Sequence, residues 1–75
     1  MKELLEYIAK SLVDYPDDVN VEQKGTEDSI VLELRVNESD MGKVIGKQGR
    51  IAKSIRSVMK AAASKNNVKV SVDIV

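Results

Sequence analysis

Residues 42–51, with the sequence GKVIGKQGRI, have the composition of a site for phosphate groups. Gly46 and Gly49 stand three positions apart, and glycine lets the backbone turn tightly and expose its amide N–H groups. A phosphate can approach these amides closely, and a helix that starts here directs its positive dipole end at the same point. Basic side chains flank the two glycines and lie between them: Lys43, Lys47 and Arg50.

Two better-known phosphate-binding loops do not fit this segment. A Walker-type loop that ends at Gly46-Lys47 needs glycine at position 41 and Ser or Thr at 48, where the chain has Met41 and Gln48. A dinucleotide-binding loop needs glycine at position 44, which is Val44, and a βαβ unit that the pattern lacks. The alternative that the glycines only end helices stays open, but the surrounding basic residues favour a binding loop.

Catalysis and metal binding are not indicated by the residue types present. The chain has no cysteine and no histidine, so disulfides, thiol chemistry, zinc-finger sites and histidine acid–base catalysis are excluded. Asp14, Asp17 and Asp18 form an acidic run beside Pro16, but no complementary ligands accompany them, which favours a solvated turn. We therefore expect a binding module that is not an enzyme and that needs neither a metal nor a cofactor.

The charges are divided unequally along the chain although the net charge is zero. Residues 1–40 carry eleven acidic and four basic side chains, whereas residues 41–75 carry eight basic side chains and only one acidic. A positive half of this kind attracts a polyanion, and the acidic half limits unspecific adhesion. The alternative is that the positive charges lie on an ordinary solvated helix face.

The elements that position the loop follow from the hydrophobic periodicity. Leu5, Ile8 and Leu12 recur at helical spacing, whereas alternate apolar residues from Ile30 to Val36 indicate a strand. The same criteria place a helix on each side of the two glycines. The predicted elements are a helix over 2–14, a strand over 19–24, a hairpin connection over 25–28, a strand over 30–36, helices over 40–45 and 50–64, and a strand over 68–74.

The element order is therefore α-β-β-α-α-β, which predicts one domain over residues 1–75. Three strands covered on one face by three helices make a two-layer α+β sandwich. The helix over 50–64 is expected to turn one face to the core, formed by Ile51, Ile55, Val58, Met59 and Ala62, and the opposite face to solvent, formed by Lys53, Arg56 and Lys60. Because no signal peptide or membrane-spanning stretch is evident, we expect a cytoplasmic protein.

The stretch from Val44 to Ile51 resembles the V-I-G-x-x-G-x-x-I signature of K-homology (KH) domains. Ile51 stands two places after the second glycine, whereas the signature has its isoleucine three places after it. The additional N-terminal helix and strand are similar to the type II, or prokaryotic, KH arrangement over essentially the whole chain. More narrowly, the chain resembles the bacterial single-domain KhpA (YlqC) family in its small size and in residues 41–43 and 72–75.

This resemblance implies that the chain binds single-stranded RNA with low sequence specificity. Residues 46–49, which are Gly46, Lys47, Gln48 and Gly49, would hold the backbone of about four nucleotides. Apolar side chains would line the floor against which the bases lie: Val44, Ile45 and Ile51. The adjacent wall is expected from the strand segment Leu32–Val36, and positive charge is expected from Lys43, Arg50 and Lys53.

The resemblance also implies protein partners. Homodimerisation is expected, as is association with a larger bacterial KH-containing protein (KhpB, also called Jag or EloR), with a role in cell elongation and division through RNA regulation or RNA chaperoning. Two alternatives stay open. The domain could be a protein–protein dimerisation module whose nucleic-acid binding is incidental, or it could bind single-stranded DNA, since much of the groove does not require a 2′-OH.

Overall fold

The computed structural model describes residues 1–75 and contains three helices and three strands. Their bounds in chain order are α1 (Lys2–Leu12), β1 (Asn20–Gly25), β2 (Ser29–Arg35), α2 (Met41–Ile45), α3 (Arg50–Ser64) and β3 (Lys69–Ile74). Short 3₁₀ turns occupy Pro16–Asp18, Glu38–Asp40 and Lys47–Gly49. The predicted α-β-β-α-α-β order is confirmed, and no helix is long and apolar enough to cross a membrane.

The three strands form one mixed sheet in the order β1-β2-β3. β1 and β2 pair antiparallel, with Val21 opposite Leu34, whereas β2 and β3 pair parallel, with Leu32 opposite Val72. Parallel neighbours need a long crossover, and α2 and α3 supply it. β2 is therefore the central strand, and β1 and β3 are the two edges.

The core lies between the sheet and the helices. Apolar side chains at alternate positions of β2, namely Ile30, Leu32 and Leu34, all point towards the helical layer and are buried. The helices cover them with Leu5 of α1 and Met59 of α3, both without exposed surface. This arrangement is the predicted two-layer α+β sandwich.

Two expectations about the helices were wrong in detail. α1 ends at Leu12 rather than at residue 14, because Val13 already has an extended backbone. On α3, the sheet-facing side chains are Ala52, Ile55, Met59 and Ala63. Val58, which was expected in the core, is 48% exposed and lies on the side of α3 that faces α1.

Asp40 is the one charged side chain that is buried, with 0% of its surface exposed. Its carboxylate accepts hydrogen bonds from the backbone amides of Asp14 at 3.2 Å and Tyr15 at 3.0 Å. It also lies 3.6 Å from the Lys43 ammonium group. Asp40 thus connects the chain that follows α1 to the beginning of α2, the helix that leads into the glycine loop.

We expect Asp40→Ala to lower the free energy of unfolding by about 3 kcal/mol, because it leaves two backbone N–H donors without an acceptor. Asp17→Ala, which removes a carboxylate from an exposed position, should change stability by less than about 0.5 kcal/mol. Urea denaturation followed by circular dichroism measures both. Equal stability of the two variants would show that the buried carboxylate has no structural role.

Candidate nucleic-acid interface

The segment between α2 and α3, which we call the GxxG loop (Gly46–Gly49), has a backbone that depends on left-handed conformations. Gly46 has φ 75° and ψ 175°, Gln48 has φ 59° and ψ 24°, and Gly49 has φ 73° and ψ 16°. The amide of Gly49 donates to the Gly46 carbonyl at 3.1 Å, which closes the turn. The Arg50 amide donates to the Lys47 carbonyl. No side chain caps the N-terminus of α3, so the N–H groups that follow Arg50 in its first turn have no side-chain partner and suit an anion.

The position of the loop depends on direct packing between Gly46 and Ile51. A Cβ atom at position 46 would lie 2.6 Å from Ile51 Cγ1, well inside contact distance. The φ and ψ of Gly46 also fall in a region that only glycine adopts readily. At Gly49 a Cβ atom would meet nothing within 4 Å. Position 46 therefore requires glycine for two reasons, whereas position 49 requires it only for its φ.

The cations around the loop differ in whether they already have a partner. Lys47, Arg50 and Lys53 are all exposed, and none of them takes part in an ion pair. Arg50 donates a hydrogen bond to the Gln48 side-chain oxygen at 3.3 Å, which orients the guanidinium next to the loop. These three charges are consequently free to interact with an anionic ligand.

Lys43, in contrast, is paired within the protein. Its ammonium group lies 3.1 Å from the Asp14 carboxylate and 3.6 Å from that of Asp40. The hydrogen bond and the attraction from Asp14, with a smaller contribution from Asp40, raise the pKa of Lys43 above its usual value. Lys43 thus links the segment that follows α1 to α2, and its charge is balanced by two carboxylates.

The expected apolar floor of the binding groove is only partly exposed. Val44 has 0% of its surface exposed, so we assign it to the core rather than to a contact with bases. Ile45 and Ile51 are partly buried, and Ile51 turns towards α1 as well as towards Gly46. Of the expected wall Leu32–Val36, the side chains of Leu32 and Leu34 are fully buried in the core, so we assign these two to packing rather than to a contact with bases.

An open groove lies instead between α3 and the edge strand β3. Its volume is about 320 Å³, and it is lined by Arg56, Lys60 and residues 70–73. The sequence placed Arg56 and Lys60 on the face of Lys53 but gave no indication of the strand opposite them. The groove runs beside α3, the helix that begins at the GxxG loop.

A second and larger groove lies on the other side of α3, between α3 and α1. Its volume is about 520 Å³, and seven of its nine lining residues are hydrophobic. The hydrophobic lining residues are Leu4, Tyr7, Ile8, Leu12, Ile51, Ile55 and Val58. We call this surface the apolar groove. Val58 and Tyr7, exposed by 48% and 72%, leave it uncovered in the single chain.

The element order, the mixed sheet and the glycine loop between two helices together define a type II KH domain. The family model described as "KhpA/KhpB, KH domain" matches residues 2–74. The chain belongs to this family.

Similar proteins are found across bacteria. The RNA-binding protein KhpA of Clostridium perfringens (strain 13 / Type A) is 67% identical over 75 residues, which is the whole of both chains. The RNA-binding protein KhpA of Clostridium acetobutylicum is 65% identical over the same length, again with both chains fully covered.

Two solved structures share the fold at 19% sequence identity. They are Aquifex aeolicus Era Y63A bound to GDP·AlF4⁻ (TM-score 0.71) and Era in complex with MgGDPNP and nucleotides 1506–1542 of 16S ribosomal RNA (TM-score 0.73). The match covers 99% and 97% of this chain, respectively, but only 30% and 28% of the Era chains.

The two glycines allow a matched test of the loop geometry. We expect Gly46→Ala to lower the free energy of unfolding by about 3 kcal/mol or more, because strain and a clash with Ile51 add together. Gly49→Ala should cost only about 1 kcal/mol, because its φ is the sole obstacle. Denaturant titrations of both variants measure the difference. Equal costs at the two positions would contradict the role assigned to the contact between Gly46 and Ile51.

Proposed function

We propose that this protein binds single-stranded RNA, with the phosphate backbone at the GxxG loop and the bases in the groove between α3 and β3. The observation that carries the proposal is the loop itself. An uncapped helix N-terminus and the unpaired cations Lys47, Arg50 and Lys53 meet at a backbone turn whose Gly49 has no other atom within 4 Å of the place of a Cβ. These features match the requirements of an anion site at a helix N-terminus.

The family relationship supports RNA as the ligand. The relatives from the two Clostridium species carry the name RNA-binding protein, and one of the Era structures contains a segment of ribosomal RNA. Aromatic side chains make up only 3% of the chain, which disfavours a stacking platform of the RRM or OB type. A KH-type loop binds about four nucleotides without such a platform.

Binding by a single copy should be modest and sensitive to salt. A few phosphate contacts release few counterions, and affinity falls as the salt concentration rises. Pairing two copies, or pairing with a larger KH-containing protein, would raise the avidity by bringing two sites onto one RNA. The protein would then act by binding, as a cytoplasmic RNA regulator or chaperone connected with cell elongation and division, and without enzymatic activity.

We assign self-association to the apolar groove. A contiguous exposed surface that contains Tyr7, Leu12 and Val58 is typical of an interaction site. The same groove supports the second candidate function, a protein–protein module with incidental RNA binding. The GxxG loop distinguishes the two functions, because an interaction module does not need unpaired cations around a glycine turn at a helix N-terminus.

The proposal predicts that the double change Lys47→Asp plus Gln48→Asp abolishes RNA binding, because two carboxylates would occupy the place of phosphate. Fluorescence anisotropy of a labelled single-stranded RNA at several salt concentrations measures the affinity. In the unchanged protein, log K should fall with log salt by roughly 0.7 per phosphate contacted. Circular dichroism establishes that the variant is folded.

A matched control is Lys65→Asp plus Asn66→Asp, which changes the net charge by the same amount. These residues follow the 15-residue helix α3 at the end away from the loop, about 22 Å along its axis. RNA affinity of this control should fall only a few-fold, through the net charge alone. The proposal would fail if the folded loop variant bound RNA as well as this control does.

Self-association through the apolar groove predicts that dimer formation is sensitive to substitutions in this groove. Val58→Asp should weaken dimer formation by more than about tenfold, because it places an unpaired charge in an apolar contact. Ser57→Asp is the matched control, since Ser57 is the exposed neighbour that does not line the groove. Sedimentation velocity over a concentration series measures both. If the two variants associate equally, the contact between copies lies elsewhere.

A further inference from the structure

The free edge of β1 carries backbone donors and acceptors that have no partner within the chain. A strand residue directs its N–H and C=O to the same side, and neighbouring residues alternate. The Thr26 amide donates to the Ser29 carbonyl where the pairing of β1 with β2 ends, whereas the Val75 amide donates to the Leu34 carbonyl on the β3 side. Odd-numbered residues of β2 therefore bond to β1, and even-numbered residues bond to β3. By the register of the two strands, the residues of β1 whose polar groups point outward are Val21, Gln23 and Gly25.

This edge is accessible, unlike the edge formed by β3. No side chain of the protein is hydrogen-bonded to the outward groups of β1. On β3, in contrast, Arg56 Nε donates to the Val72 carbonyl at 3.1 Å. Val21 is buried beneath the helical layer whereas Gln23 and Gly25 are exposed, so the layer does not cover this end of β1. An uncovered strand edge of this kind accepts a further strand.

The charges along β1 select how a second copy of the strand can pair with it. In an antiparallel pair, outward residues must lie opposite outward residues, so the registers that overlap most of the strand are centred on residue 22, 23 or 24. A register centred on Glu22 or on Lys24 places that residue opposite its own copy, and like charges directly opposite are unfavourable. The register centred on Gln23 places Glu22 opposite the partner's Lys24, twice by symmetry. β1 is therefore self-complementary in that register.

The same register supplies Glu22 with a cation that it lacks in the single chain. Glu22 lies opposite Glu33 of β2 and takes part in no ion pair. The cation of its own strand, Lys24, lies 3.2 Å from Glu33 instead. Between two copies, Glu22 and the partner's Lys24 would form a pair without backbone hydrogen bonds, the kind in which side chains approach most closely. Opposite charges at such positions stabilise the pairing of strands.

We propose that β1 pairs antiparallel with β1 of a second copy, centred on Gln23, which joins the two sheets into one continuous sheet. The inference goes beyond the proposed function and does not rest on it, because β1 belongs neither to the GxxG loop nor to the apolar groove. Together with the contact assigned to the apolar groove, it gives each copy two different contacts with other copies. Copies that use both contacts would assemble beyond the dimer.

A single cysteine tests the contact, because the chain has no cysteine of its own. In the proposed register Gln23 lies opposite its own copy with Cα atoms about 5.5 Å apart, a distance that a disulfide spans. In a glutathione buffer, Gln23→Cys should form a disulfide dimer at least about tenfold faster than Ser64→Cys, an exposed control at the end of α3. Equal rates would overturn the inference and leave the edge to a strand of a different protein.

Charge exchange between copies tests the register. When Gln23→Cys is combined with Glu22→Lys or with Lys24→Glu, like charges lie opposite each other and the disulfide should form about tenfold more slowly. A mixture of these two variants should restore the rate through mixed dimers, which ion-exchange chromatography separates from the others. Glu38→Lys mixed with Lys65→Glu, again with Gln23→Cys, is the matched control at exposed positions outside the strand. An equal preference for mixed dimers in this control would overturn the register.

Amide hydrogen exchange of the unchanged protein supplies a measurement that needs no variant. Raising the protein concentration should slow exchange at Gln23 and Gly25, because their outward amides gain carbonyl acceptors from the second copy. Exchange at Val70, whose amide points outward on the β3 edge, should not respond. Exchange at Gln23 that stays independent of concentration up to about 1 mM protein, a weak dissociation constant, would overturn the inference. RNA is absent from all three experiments, so their outcome does not depend on RNA binding.

Discussion

The close contact between Gly46 and Ile51 is the constraint on which the geometry of the candidate nucleic-acid interface depends. Because Gly46 has no side chain, its Cα packs directly against Ile51 at the start of α3, which fixes how α2 meets α3. α2 has only five residues and would not form a stable helix alone. The buried side chains of Val44 and Asp40 attach α2 to the interior of the protein. The loop is therefore held on a framework fixed by the core, and its turn is closed by the amides of Gly49 and Arg50, which donate to the carbonyls of Gly46 and Lys47.

The distribution of charge then determines which face of the molecule can receive an anion. Two carboxylates, Asp14 and Asp40, pair with the exposed side chain of Lys43, while the cations nearer the loop form no ion pair. On the opposite face of the sheet, Glu22, Glu33 and Asp73 lie side by side in one row across the three strands. Neighbouring like charges are unfavourable in a sheet, although Lys24 lies 3.2 Å from Glu33. A chain with no net charge thus has cations without an ion pair near the GxxG loop, whereas the outward face of the sheet carries acids and bases in equal number: Glu22, Glu33 and Asp73 beside Lys24, Arg35 and Lys69.

α3 connects three different surfaces of the domain. Its sheet-facing side, which includes Ile55 and Met59, completes the core. Arg56 faces the groove beside β3, and Val58 faces the apolar groove beside α1. Because one rigid helix carries both grooves and begins at the GxxG loop, a nucleic acid and a protein partner would occupy opposite sides of the same element.

The sequence by itself determined the order of the elements, the bounds of α3 and the glycine loop between two helices, because periodicity and glycine spacing are local properties. Only the tertiary structure decided that β2 is central and β3 is an edge, so that residues 70–73 rather than Leu32–Val36 line the open groove beside α3. It also decided that Val44 is buried and that Lys43 pairs with Asp14. These outcomes depend on contacts between residues far apart in the chain, which no local pattern encodes.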